Sequence, residues 1–277
     1  MFWNDLLRIL DTQMTTPTSF GWFHTLFIVA SVAVGILLCV VCKDRERYTR
    51  PILLITAITV IALEVYKLIN FGFGTSYETE PAYSFPWSAF PWQFCSTPMY
   101  ACLLAALTRG KVHRSLCAYL STFAVFAGLC VMIYPGDVFI GTVGINIQTM
   151  ICHGSMLTIG IYLLGSGYVP REHKTVLRAL PVFCVAAAVA MILNEVAYRS
   201  GLLETHSFNM FYFSPYQDPH LPVFSDVQRF IGASNPLCMV IYIVAFTLAA
   251  YLILLIAMGI GRLAETLKCK KKAEATV

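Results

Sequence analysis

At 277 residues, 58% of them hydrophobic and only 12% charged, the chain falls well below the roughly 25% of charged residues found in soluble domains. Its mean hydropathy of +0.70 excludes an ordinary soluble fold. The net charge of +4 is accounted for by basic loops at a membrane surface and requires no nucleic-acid partner. The ten cysteines lie mostly inside apolar stretches, which excludes the disulfide framework of a small secreted domain.

Residues 1–19 hold Asn4, Asp5, Arg8 and Asp11 and lack the apolar core and small-residue cleavage site of a cleavable signal. Apolar stretches near 20 residues then predict seven spanning helices, over 20–42, 51–73, 88–108, 115–134, 144–166, 177–198 and 236–261. The second carries Glu64, Lys67 and Asn70, and the third carries Cys95 between Pro91 and Pro98. Pro98 is expected to free the carbonyl of Phe94 and widen that helix. The fifth holds Asn146, Gln148 and His153, the last beside the small residues Cys152, Gly154 and Ser155. The sixth ends with Asn194 and Glu195. Residues 199–235 form the longest piece outside the spans. They run Ser207-Phe208-Asn209-Met210-Phe211-Tyr212-Phe213-Ser214-Pro215 and then Asp218-Pro219-His220-Leu221-Pro222, too apolar to float in water. This segment is expected to be either a lid folded over the outer end or an interfacial connector. The expected fold class is therefore an all-α, polytopic bundle of seven helices forming a single membrane domain over 1–277.

Orientation follows from the basic residues. All but four of the 19 lysines and arginines fall in the loops after the first, third and fifth spans or in the C-terminal tail. The exceptions are Arg8, Lys67, Arg199 and Arg229. The positive-inside rule then puts the N-terminus outside and the C-terminus in the cytoplasm. Trp22, Trp87, Trp92, Tyr48, Tyr134 and Tyr198 lie at predicted boundaries, where amphipathic rings anchor to the interface.

With each helix direction fixed, the polar residues converge in the outer half of the bilayer. Glu64 and Lys67, at i and i+3, share a helix face and serve as a structural ion pair, as an orienting group for His153 or as a head-group contact. Asn146 and Gln148 read as interhelical polar contacts. Cys95 and His153 stand out because a thiol with a nearby imidazole suffices for covalent acyl chemistry, and ionisable groups within spans mark functional sites by default.

These residues also carry a family resemblance. Phe20-Gly21-Trp22-Phe23-His24, Glu64 with Lys67, Pro91-Trp92-Gln93-Phe94-Cys95, His153, and Asn209-Met210-Phe211 followed by Ser214-Pro215 together resemble the YwaF and transmembrane protein 164 group of integral membrane proteins. The resemblance implies a lipid acyltransferase whose essential pair falls on Cys95 and His153. Many bacterial members of the group carry a histidine two residues before the cysteine, where this chain has Gln93.

The expected chemistry is thiol-dependent acyl transfer. His153 acts as base and Cys95 as nucleophile, with Glu64, Lys67, Gln93 and Asn209 in substrate-binding positions and Gln93 or Asn209 as an oxyanion donor. Partners are membrane lipids, a phospholipid acyl donor and a lysophospholipid acceptor. No cofactor is expected, and no Cys/His spacing suits a structural metal. The host is a cell membrane in a bacterium or the endoplasmic reticulum membrane in a eukaryote. The alternative is a small-solute or ion transporter with Glu64, Lys67 and His153 along its pathway, though no internal repeat of the kind such proteins show is visible. A seven-helix receptor is set aside, because the third span ends Ala106-Leu107-Thr108-Arg109-Gly110 without an acidic-Arg-aromatic triplet.

Overall fold

Apolar periodicity and proline placement together decide where this chain becomes helical. The computed structural model describes residues 2–74, 83–135, 138–217, 221 and 223–274, so Asp218, Pro219, His220 and Pro222 of the outer segment lie outside the described residues. In chain order the α-helices are α1 (Phe2–Leu10), α2 (Trp22–Val41), α3 (Arg45–Phe73), α4 (Thr97–Leu107), α5 (Gly110–Ser121), α6 (Phe123–Ile133), α7 (Val143–Gly165), α8 (Lys174–Arg199), α9 (Phe224–Ile231) and α10 (Pro236–Glu274). Six stretches among the described residues are long and apolar enough to cross a membrane: α2, α3, α5 with α6, α7, α8 and α10. The molecule is thus an all-α, multi-pass membrane protein. The α5–α6 stretch bends at Thr122, where the hydroxyls of Ser121 and Thr122 both donate to the Ala118 carbonyl at 3.0 and 2.7 Å.

The expected helix over 88–108 takes a different form. A 3₁₀ turn over Trp87–Ala89 is followed by turns through residue 96, and only then by the 11-residue α4. At 1.5 Å per residue α4 rises about 16 Å, half the roughly 30 Å of hydrocarbon. Pro98 lies in the first turn of α4, where its missing N–H leaves no helical bond unmade. It therefore starts a helix instead of widening one. The Phe94 carbonyl accepts from the Thr97 hydroxyl at 2.9 Å, and Thr97 in turn accepts from the Tyr119 hydroxyl at 2.6 Å. Backbone polar groups at this depth need such partners.

α7 is the central element and packs against α2, α3, α5, α6 and α10. Small residues set the close approaches, as in membrane bundles generally. A methyl placed on Gly128 of α6 would lie 2.7 Å from the His153 carbonyl of α7, so only glycine lets these two helices meet there. α1 is tied to α3 at its end, where the Tyr66 hydroxyl and the Asn70 amide both donate to the Leu10 carbonyl.

The segment after α8 packs into the bundle. Phe208, Met210, Phe211, Phe213 and Ser214 are all buried, and the short turn at Met210–Tyr212 packs on α8. Phe211 and Tyr212 both adopt left-handed backbone, with φ of 58° and 55°, a conformation that costs a side-chain-bearing residue about 1–2 kcal/mol. Aromatic packing offsets this. The Phe211 ring lies 5.5 Å from Phe94 and 5.9 Å from Phe213, and Phe213 lies 5.0 Å from Tyr242. Trp22, Tyr134 and Tyr198 are exposed at helix ends, as interface anchors require. Trp92 departs from that expectation: its indole N–H donates to the Ala186 carbonyl at 3.1 Å and its ring packs on Tyr100.

Candidate active site

Cys95 sits in the turns just before α4, and His153 lies on the first half of α7. Both line one cavity of about 460 Å³. Its walls are Phe126 and Val131 of α6, Phe211 and Tyr212 of the inserted segment, Phe224 and Val227 of α9, and Ile241 and Phe246 of α10. The volume is that of an ordinary small-ligand site, and the lining is almost wholly apolar apart from the thiols of Cys95 and Cys130, the imidazole and two phenols.

His153 is held in one tautomer. Its Nδ1 lies 2.7 Å from the Thr149 carbonyl, one helical turn earlier. A carbonyl only accepts, so Nδ1 carries the proton and Nε2 keeps its lone pair. Beside this turn runs a short polar chain. Lys67 Nζ donates to Glu64 Oε1 at 2.6 Å, Gln148 Nε2 to Glu64 Oε2 at 3.4 Å, and the Thr149 hydroxyl to Gln148 Oε1 at 3.4 Å. Glu64 is buried, with 6% of its side chain exposed against 16% for Lys67. A carboxylate at this depth is tolerated because it is paired and hydrogen-bonded. Glu64 and Lys67 thus stand beside the His153 turn and are not among the residues that line its cavity.

Gln93 and Asn209 both bond to the backbone of the inserted segment. The Gln93 side chain donates to the Asn209 carbonyl at 3.0 Å and accepts from the Phe211 N–H at 3.1 Å. Asn209 Oδ1 accepts from the Ser214 N–H at 2.9 Å, while Asn209 Nδ2 is buried with no hydrogen-bond partner among the described residues. Asn194 completes the clamp, accepting from the Met210 N–H at 2.8 Å and donating to the Met210 carbonyl at 3.0 Å. The Tyr242 hydroxyl donates to the Phe211 carbonyl at 3.1 Å. Three side chains from distant parts of the chain, together with Asn209 of the segment itself, therefore satisfy the irregular backbone of the inserted segment.

Asn146 makes a comparable local clamp on the backbone of Ile140, at 2.7 and 3.0 Å. Thr149, Tyr212 and Tyr242 are site residues that sequence reasoning missed. Thr149 was marked only by its i−4 spacing from His153, and Tyr242 only as a phenol near the start of an apolar helix. All ten cysteines are free thiols, and the described residues contain no group of three or more Cys, His, Asp or Glu arranged to hold a metal.

Fold and site define a polytopic α-helical membrane protein in which a thiol and an imidazole face one apolar cavity. The sequence profile of the TMEM164 family matches residues 19–260, from just before α2 to well inside α10, and the chain belongs to that family. No curated protein and no solved structure matches the chain.

Proposed function

We propose that the chain is a membrane-embedded lipid acyltransferase with Cys95 as nucleophile and His153 as base. The observation that carries this reading is that both side chains line one apolar cavity, with the imidazole presenting an unprotonated Nε2. His153 Nε2 takes the Cys95 proton, and the thiolate attacks the ester carbonyl of a phospholipid. The ester C–O bond breaks, the departing lysophospholipid oxygen receives the proton from His153, and a Cys95 thioester remains. A second lysophospholipid gives its hydroxyl proton to His153 and attacks the thioester. The C–S bond breaks and Cys95 recovers its proton. Apolar walls keep water from competing with the lipid hydroxyl. Gln148, Glu64 and Lys67 act as positioning residues beside the turn that holds His153.

In this reading residues 87–107 make a seventh crossing from turns plus α4, the N-terminus faces outward, and the C-terminus is cytoplasmic. The basic residues of the α2–α3, α4–α5 and α7–α8 connections support that orientation.

The test is acyl exchange between labelled lysophospholipid and phospholipid by purified protein in vesicles. Cys95→Ala and His153→Ala should each lower the rate by roughly a thousandfold or more, the scale expected when a nucleophile or its base is removed. Wild type should also carry an acyl group released by hydroxylamine, absent from Cys95→Ala. Exchange that persists in a folded variant of either kind removes the mechanism.

A further inference from the structure

A second cavity lies where the basic connections gather, and it shares no lining residue with the one at Cys95 and His153. It encloses about 350 Å³ between the start of α3, the α4–α5 corner and the α7–α8 connection. Arg50, Arg109, Arg114 and Arg178 line it, with Glu46 as the acidic lining residue. These arginines come from three helices and a corner, so the fold, and no local sequence run, brings them together.

The cavity is built, not incidental. His113, buried, lines it, with Nδ1 donating to the Ala105 carbonyl at 2.6 Å. His113 Nε2 therefore accepts from the Tyr168 hydroxyl, also at 2.6 Å. Burial pushes the Tyr168 phenol up to about 12, so it keeps the proton it donates. Arg50 is anchored by donating to the Thr108 carbonyl at 2.6 Å, and Arg178 pairs with Glu172 at 2.8 Å. Arg109 and Arg114 have no carboxylate partner among the described residues. Four guanidinium groups against the carboxylates of Glu46 and Glu172 leave an excess of two positive charges. Guanidinium groups match phosphate oxygens in paired hydrogen bonds. Basic pockets between membrane helices are recognition sites for phosphorylated head groups.

We propose that this cavity binds a multiply charged phosphate group, carried by the head group of an anionic membrane lipid or by a soluble phosphorylated molecule. Its volume lies near the lower end of the roughly 300–1,000 Å³ of ordinary ligand sites, which suits a head group without its acyl chains. A ligand there would bridge α3, α5 and α8 at the end of the bundle remote from His153.

The experiment uses the full chain in phosphatidylcholine nanodiscs with two probes. Inorganic pyrophosphate is titrated by calorimetry, and phosphatidylinositol bisphosphate added to the nanodisc is followed by native mass spectrometry of the lipid retained. Wild type should bind at least one of them, and Arg109→Gln with Arg114→Gln should weaken that binding roughly tenfold or more. Lys268→Gln with Lys270→Gln, in the exposed tail, should leave it unchanged. Lipid retained without pyrophosphate binding assigns the site to a membrane head group, and pyrophosphate binding without lipid retention assigns it to a soluble ligand. Both exposed arginines can be removed without touching the Arg50–Thr108 contact. Should the double variant unfold, Arg178→Gln provides the same test. Binding of neither probe, or binding equal in wild type and arginine variants, overturns the proposal.

Discussion

His153 differs from a packing histidine in having one nitrogen committed to a backbone carbonyl and the ring open to a cavity. Its candidacy, and that of Cys95, was legible from residue type alone, because a thiol and an imidazole inside apolar segments are costly. Their sharing one cavity was not legible, since it depends on how α7 meets a non-helical turn far away in sequence. Glu64 and Lys67 were legible as a pair from their i,i+3 spacing, and the 2.6 Å contact bears that out. Whether the pair supports structure alone can be read from substitution. Glu64→Leu leaves a largely buried ammonium without its partner and should cost about 3 kcal/mol. Glu64→Leu with Lys67→Met removes both charges and should recover most of that loss in thermal unfolding. Acyl exchange in the double variant then separates the roles: near-normal exchange means that the pair only stabilises, and a tenfold or greater loss means that it positions His153.

The segment inserted against α8 shows what element-level reasoning from sequence missed and why. Its aromatic content indicated that it could not float free, yet composition does not say whether such a stretch covers a bundle or enters it. Entry depends on partners for its backbone, and these are Gln93, Asn194 and Tyr242, each read from sequence as something else or not read at all. The expected helix over 88–108 is shortened to α4 for a related reason. A hydropathy window registers the apolar side chains of residues 88–108 and not the prolines at 86, 91 and 98, which confine regular helix to α4. Asn194→Ala should destabilise the protein by about 2–4 kcal/mol, because it leaves both the N–H and the carbonyl of Met210 buried and unpaired. Tyr242→Phe strands only the Phe211 carbonyl and should cost about 1–2 kcal/mol. Denaturation in detergent measures both, and equal, negligible losses would show that the segment is not held by these bonds.

Across the whole molecule, charge asymmetry carries information that packing does not. The six stretches long enough to cross a membrane were all visible as apolar runs, with boundaries displaced by several residues in places, as where helix begins at Gly110 instead of 115. Orientation rests on the basic connections and is open to direct measurement. An impermeant maleimide should label the exposed Cys269 only after the membrane is opened, whereas a cysteine introduced at Thr205 should label in sealed cells. The reverse pattern would invert the topology. The cavity has a consequence for biosynthesis. One of its walls belongs to α10, which is made after the other described helices, whereas Cys95 and His153 are made much earlier. A nascent chain released before α10 would hold both reactive groups in the bilayer with no enclosure around them. The thiol therefore acquires its full enclosure only once α10 has been made and has packed against the rest of the bundle.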